Sequence, residues 1–209
     1  MTRRSIALLL ALAALASAQT RRLLPLVDES ARDPRFAMFL NRFKLAVLRK
    51  DAAALLPLIS PDVKNSFGGN DGLAEFRTLW KPEEETSDLW PLLSRLLERG
   101  GTWQGPGYCV PYVCGKFPDD LDAFEYGVVA ASGVWLRKAP NPKAPGIRQL
   151  SYEIVKLSDP GEAWSRVVTL DGKSGYVAAR YLFSPVGYRA FFQPDAKGVW
   201  QMAMLLQGD

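Results

Sequence analysis

The chain has 209 residues, 48% hydrophobic and 23% charged, with a formal net charge of +4, two cysteines and no histidine. That length and apolar fraction suffice for one or two domains with real cores. The missing histidine excludes Ser-His-Asp and Cys-His catalytic pairs, a histidine general base and any imidazole metal ligand, and two cysteines do not close a four-ligand zinc site by themselves.

Residues 1–18 read as a secretory signal peptide. Arg3 and Arg4 form a basic start, residues 6–15 are an apolar run, and Ala16-Ser17-Ala18 supplies the small-x-small pattern that a signal peptidase reads. Cleavage is expected after Ala18, which makes the protein secreted or periplasmic. Ten helical residues reach about 15 Å, half of a hydrocarbon core, so no stable membrane span is expected. Arg21 and Arg22 lie just past the cut, where positive charge hinders export, and an uncleaved amphipathic anchor is the alternative. Losing residues 1–18 removes two arginines and no acid, leaving 24 basic against 22 acidic residues. So even a balance is no footprint for nucleic acid, and none is expected as a partner.

Residues 19–125 read as a helical, α+β N-terminal domain. Asp33 caps a helix with Pro34 at its first position. Phe36, Phe39, Leu40, Phe43 and Val47 follow as a one-face stripe, which is core. Arg42, Lys44, Arg49 and Lys50 on the same helix read as a solvated face. Asp51 caps a short helix over residues 52–59, and residues 62–67 suit a short strand. Gly68-Gly69-Asn70-Asp71-Gly72 is a turn without the lysine of a phosphate loop. It launches a helix through Leu73, Phe76, Leu79 and Trp80. Glu83-Glu84-Glu85 is a solvated turn before a fourth helix that carries Leu89, Trp90, Leu93, Leu96 and Leu97 and stops at Gly100-Gly101.

Beyond Thr102 prolines and glycines are frequent, and residues 103–113 read as extended or looped. Cys109 and Cys114 sit in Tyr-Cys-Val-Pro-Tyr-Val-Cys. An oxidising compartment favours a disulfide. Fully extended, the two would lie about 17 Å apart, so a bond requires a turn near Pro111. Two reduced, buried thiols are the alternative, and a catalytic thiol would have no histidine to activate it. Asp119, Asp120 and Asp122 form an acidic loop without the glycine and distal glutamate of a calcium loop. Short β runs follow at residues 123–129, 133–137, 149–157, 164–170 and 175–177, with a hairpin turn at Asp171-Gly172. Residues 188–193 and 199–206 read as two further strands.

The stretch 127–182 carries a resemblance. Its residues are Val134-Trp135-Leu136-Arg137-Lys138-Ala139-Pro140, residues 147–150, Ile154-Val155, Trp164-Ser165-Arg166-Val167, Asp171-Gly172-Lys173-Ser174-Gly175-Tyr176-Val177 and Tyr181-Leu182. In this order they resemble the bacterial SH3-like domain, a small β-barrel of exported bacterial proteins. The resemblance implies such a barrel over residues 126–183 and an association with cell-wall peptides. Trp135 departs from the family, which usually carries a small polar residue there. Strand alternation turns it outward, either onto a binding face or under the helices. Residues 184–209 form a hairpin that needs a partner to be stable. It is expected to return to the N-terminal domain, and helices followed by a Gly-x-Trp hairpin resemble the α+β cone of the nuclear transport factor 2 type.

The expected fold class is therefore α+β: an N-terminal helical domain plus a small SH3-like β-barrel, with a C-terminal β-hairpin packing back on the helices. The expected function is non-enzymatic recognition of a cell-envelope peptide or protein partner. Its candidate residues are Trp135, Arg137, Tyr152, Trp164, Tyr176 and Tyr181, with no catalytic residue, metal or cofactor. A small-molecule pocket lined by Phe67, Trp80, Trp90 and Trp200 is the second reading. A hydrolase built on two facing carboxylates, one of raised pKa, is the third. The sequence leaves the ligand and the oligomeric state open.

Overall fold

The computed structural model describes residues 21–69 and 71–208. The expected signal peptide and its cleavage site lie outside the described residues. The first long element, α1 (Pro34–Arg49), starts where the Asp33 carboxylate accepts from the backbone N–H groups of Arg35 and Phe36, at 2.8 and 3.2 Å. Pro34 takes the first position, where no donor is needed. The helix stops at Lys50, which adopts a left-handed conformation. Asp51 then caps α2 (Ala52–Leu55) by accepting from Ala54 N–H at 2.9 Å.

The chain continues through β1 (Ile59–Lys64), α3 (Leu73–Trp80), α4 (Leu89–Leu97), β2 (Thr102–Gln104), β3 (Gly107–Val110) and α5 (Val113–Lys116). Seven strands follow: β4 (Tyr126–Val129), β5 (Val134–Arg137), β6 (Gly146–Leu150), β7 (Ile154–Asp159), β8 (Trp164–Thr169), β9 (Ser174–Ala178) and β10 (Leu182–Phe183). The chain ends with β11 (Arg189–Pro194) and β12 (Trp200–Leu206).

Two compact units result. The first comprises residues 26–118 and 185–208, the second residues 21–25 and 119–184. In the first, five strands pair in the order β1-β12-β11-β3-β2. β1 runs parallel to β12, Ile59 opposite Met202, and as an edge strand it tolerates Pro61. The apolar stripe of α1 packs on this sheet: the Phe36 ring lies 4.6 Å from Tyr108 and 4.7 Å from Trp200, and Phe43 lies 5.1 Å from Phe192. Gly100, past the end of α4, has a φ of 66° and sits where a Cβ would come within 2.2 Å of the Val27 carbonyl oxygen. Only glycine fits there, which lets Asp28 bridge in parallel to Gly101.

In the second unit seven strands pair in the order β10-β4-β7-β8-β9-β5-β6 around Val129, Val134, Leu136, Leu150, Val155, Val167, Val177 and Leu182. The segment after Arg21 joins it. Ile154 N–H donates to the Arg22 carbonyl at 2.9 Å, and Leu24 N–H donates to that of Tyr152 at 2.7 Å.

These sheets correct the expected architecture. A helical domain beside a small SH3-like barrel is not what forms: strand outweighs helix, and each unit is organised by a large sheet, one of five strands and one of seven. In the first unit the residues of β2 and β3, read as extended or looped, form an edge strand and its inner neighbour, and β3 pairs with β11 more than eighty positions away, Cys109 opposite Phe191. Partners that distant leave no local periodicity in a four-residue strand.

Cys109 in β3 and Cys114 in α5 are disulfide-bonded, with Cα atoms 6.4 Å apart. The chain reverses at Pro111, whose carbonyl accepts from Cys114 N–H at 3.0 Å. Reduction is expected to lower the stability of the chain by roughly 2 kcal/mol, the chain-entropy value for so short a loop. Urea unfolding with and without reductant measures this, and alkylation without reductant should add no label to the intact mass. Among the described residues no helix is long and apolar enough to cross a membrane.

Candidate functional site

A cleft of about 560 Å³ opens on the second unit. Its walls come from β5 and the turn before it, the turn entering β8, and the turn that follows β9. In β5 the side chains alternate: Val134 and Leu136 are buried, Trp135 is 43% exposed and Arg137 is half-buried. Trp135 therefore stands on the outer face, into the cleft. Its indole packs against Gly146, where an added Cβ would come within 2.3 Å of the ring. Gly146 is the seat that holds this ring, and the bulge between Leu136 and Arg137 sets the two strands in that register.

Arg137 is tethered by the loop between β5 and β6, since its Nη1 donates to the Ala144 carbonyl at 2.7 Å. That bond uses one guanidinium nitrogen and orients the rest of the group. Trp164 opens β8, directly after Glu162 and Ala163, and all three line the cleft. Arg180 and Tyr181 belong to the three-residue turn Ala179–Tyr181. The Arg180 guanidinium carbon lies 4.8 Å from the Tyr181 ring centroid, and its Nη2 donates to the Tyr181 hydroxyl at 3.2 Å. This stacking combines cation–π attraction with a hydrogen bond and limits the freedom of both side chains.

Of the six residues expected from sequence, Trp135, Arg137, Trp164 and Tyr181 come together in this lining, and Tyr152 and Tyr176 do not. Tyr152 is half-buried with a φ of 54°, and its backbone bonds to Ala131 and Leu24. Tyr176 sits in register opposite Arg137 and Arg166 in the sheet. Arg180 and Glu162 escaped the sequence reading because both occupy turns rather than motif strands. The available signal was their adjacency to the aromatics, Arg180 before Tyr181 and Glu162 two positions before Trp164. Three aromatic faces, two guanidinium groups and one carboxylate in a concave surface suit an elongated ligand with flat or apolar groups and at least one anionic group.

The residues of the other readings are placed differently. Phe67 is 59% exposed, Trp90 is buried, the Trp80 ring lies 5.6 Å from Tyr188, and Trp200 packs at 4.7 Å on Phe36. The carboxyl groups whose ionisation is displaced lean away from general acids. Burial pushes the Asp28 carboxyl up, yet hydrogen bonds from Ser30, Tyr108 and Lys44 outweigh it and hold the group well below the usual range. Glu29 follows the same logic, with Thr102 and Trp103 donating at 2.8 and 3.3 Å. In the acidic loop the Asp120 carboxylate accepts from Nη1 and Nη2 of Arg22 at 2.6 and 2.9 Å. Among the described residues no cluster of three or more acidic or cysteine side chains is arranged to hold a metal ion.

The chain matches no family model and no curated relative. Among solved structures it is similar to the crystal structure of an NTF2-like protein with a cystatin-like fold from Novosphingobium aromaticivorans. Identity is 14% and the TM-score 0.30, over 86% of this chain and 81% of that one.

Proposed function

We propose that the protein is an exported, non-enzymatic binding module that holds an extended peptide segment of a cell-envelope partner in the cleft of its second unit. The observation that carries this reading is Trp135. A large indole turned outward by strand alternation, seated on Gly146 and placed in a concave surface beside Trp164 and Tyr181, is an anchor for a ligand rather than part of a core. The tethered Arg137 and the stacked Arg180 add fixed positive charge for a carboxylate of the peptide, and Glu162 adds a place for an ammonium group. The Cys109–Cys114 bond supports an oxidising compartment, as export to the periplasm or medium would provide.

The test is retention on purified peptidoglycan at low salt. The unaltered protein should be retained. Trp135→Ala should weaken retention by about 2 kcal/mol, roughly thirtyfold, as a central aromatic anchor does. Gly146→Ala should weaken it as well, because the new methyl displaces the indole without removing it. Far-UV circular dichroism and the melting temperature should stay unchanged in Trp135→Ala. No retention of the unaltered protein would sink the wall-binding version.

A further inference from the structure

The outer face of α1 carries a second pattern. Arg35, Met38, Arg42, Leu45 and Arg49 are spaced 3, 4, 3 and 4 residues apart, so they form one ridge along the helix. Arg35 and Arg49 are about 21 Å apart at 1.5 Å per residue. Leu48 flanks the ridge. Met38, Leu45 and Leu48 are 63%, 45% and 78% exposed. The opposite face of α1 is locked into the core through Phe36, Phe39, Leu40 and Phe43, which fixes the ridge outward.

Charge alone reads as a solvated face. Two exposed aliphatic side chains, Met38 and Leu45, set between the arginines, with Leu48 beside them, change that reading, because large apolar groups grouped on a helix surface mark an interaction site. Among the described residues Arg35, Arg42 and Arg49 make no ion pair within 4 Å, and α1 contains no acidic residue. The acids at its two ends are committed elsewhere: Asp33 and Asp51 accept backbone N–H groups as helix caps.

We infer that this ridge is a docking surface for an anionic lipid bilayer. Met38 and Leu48 protrude furthest from the helix, 63% and 78% exposed, which suits side chains that insert into a plane. Met38, Leu45 and Leu48 would enter the boundary between headgroups and acyl chains, while the arginines extend their stems along it and place their guanidinium groups among phosphates. Charge complementarity favours such a surface: three arginines without an ion pair outnumber the single carboxylate beside them, Asp51. Arg42, Leu45 and Arg49 also form one wall of a groove of about 320 Å³ whose other side carries Asp51, Pro57 and Leu58.

Flotation with vesicles tests this. The chain from Gln19 onward is used, since the apolar run of residues 6–15 would itself partition into lipid. It should float with vesicles of phosphatidylcholine plus phosphatidylglycerol and not with phosphatidylcholine alone. Each Arg→Gln change should weaken partition about fivefold and the triple R35Q/R42Q/R49Q about a hundredfold, while the triple Arg→Lys variant keeps it. M38S/L45S/L48S should also lose binding. These positions are exposed, so circular dichroism should be unchanged in every variant. No flotation, equal flotation of the glutamine variant, or full binding by the serine variant would overturn the inference. Capture of a synthetic acidic amphipathic helix without vesicle binding would also overturn it and assign the face to a protein partner.

Discussion

Replacing Arg148 by alanine is expected to destabilise the seven-stranded unit by about 3–5 kcal/mol, the usual loss when one member of a buried ion network is removed. The Arg148 guanidinium is 11% exposed and donates to both Glu153 carboxylate oxygens at 2.6 Å. It also donates to Asp171 at 3.2 Å. Glu153 and Asp171 are themselves 7% and 14% exposed. Alanine would leave Glu153 sealed from water without its cation and Asp171 with Lys173 alone, at 3.9 Å, and that stranded charge, rather than the lost attraction, sets the size of the effect. Neutralising an acid is gentler, so Glu153→Gln should cost less. In a double-mutant cycle the pair should couple strongly. Urea unfolding followed by circular dichroism measures all of this, and an R148A curve that overlays the wild type would show that the network contributes nothing.

The same network has a pH signature. Burial pushes the Asp171 carboxyl up, but the Thr169 hydroxyl at 2.5 Å and the Arg148 charge outweigh it and hold it below its ordinary value. A carboxyl depressed by folding stabilises the protein fully above its unfolded pKa of about 3.9, and that stabilisation is lost as pH falls toward the folded value. Asp28 in the first unit has the same sign. Stability should therefore decline below about pH 4, and Asp171→Asn should remove part of that slope.

Phe36→Ala is expected to cost about 5 kcal/mol, at the upper end for removal of a buried phenylalanine. Its ring is fully buried and meets five others: Phe39 and Phe192 at 6.0 Å, Trp103 at 5.1 Å, Tyr108 at 4.6 Å and Trp200 at 4.7 Å. Tilted and edge contacts of this kind each add about 0.5–1.5 kcal/mol beyond area burial. Four of the neighbours are rings on strands of one sheet and the fifth, Phe39, is on α1 itself, so the site collapses poorly around a cavity. Phe67→Ala, at a 59% exposed position, should change stability by less than about 0.5 kcal/mol. Denaturant midpoints compare the two. Equal effects would mean that the aromatic cluster is not the centre of the first unit.

Particular residues explain how far the sequence could be read. The start of α1 was legible because a cap acts over three positions: Asp33, Pro34 and Phe36 settle it among themselves. The outward turn of Trp135 followed from a period of two within four residues. The Asp171-Gly172 turn was legible too, since Gly172 takes a φ of 82° and its N–H closes on Thr169 at 2.8 Å. The ion network was not, because Arg148 and Asp171 are 23 positions apart and each looks like an ordinary surface charge.

Residue types absent from the chain cannot be supplied by folding, so without histidine no Ser-His-Asp or Cys-His pair forms. By itself the sequence determined the start of α1, the inward and outward sides of β5 and the Asp171-Gly172 turn, whereas the helix expected over residues 52–59 stops at Leu55 and the strand expected over 62–67 runs from Ile59 to Lys64, because Ile59 pairs with Met202. Tertiary structure alone decided that β1 lies parallel to β12, that β3 completes a five-stranded sheet, and that Arg180 and Glu162 share a cleft with Trp135. The reason is physical. Caps, turns and alternation are settled by interactions within a few residues, whereas strand order and cleft composition depend on hydrogen bonds and burial between segments that meet only after the chain has collapsed.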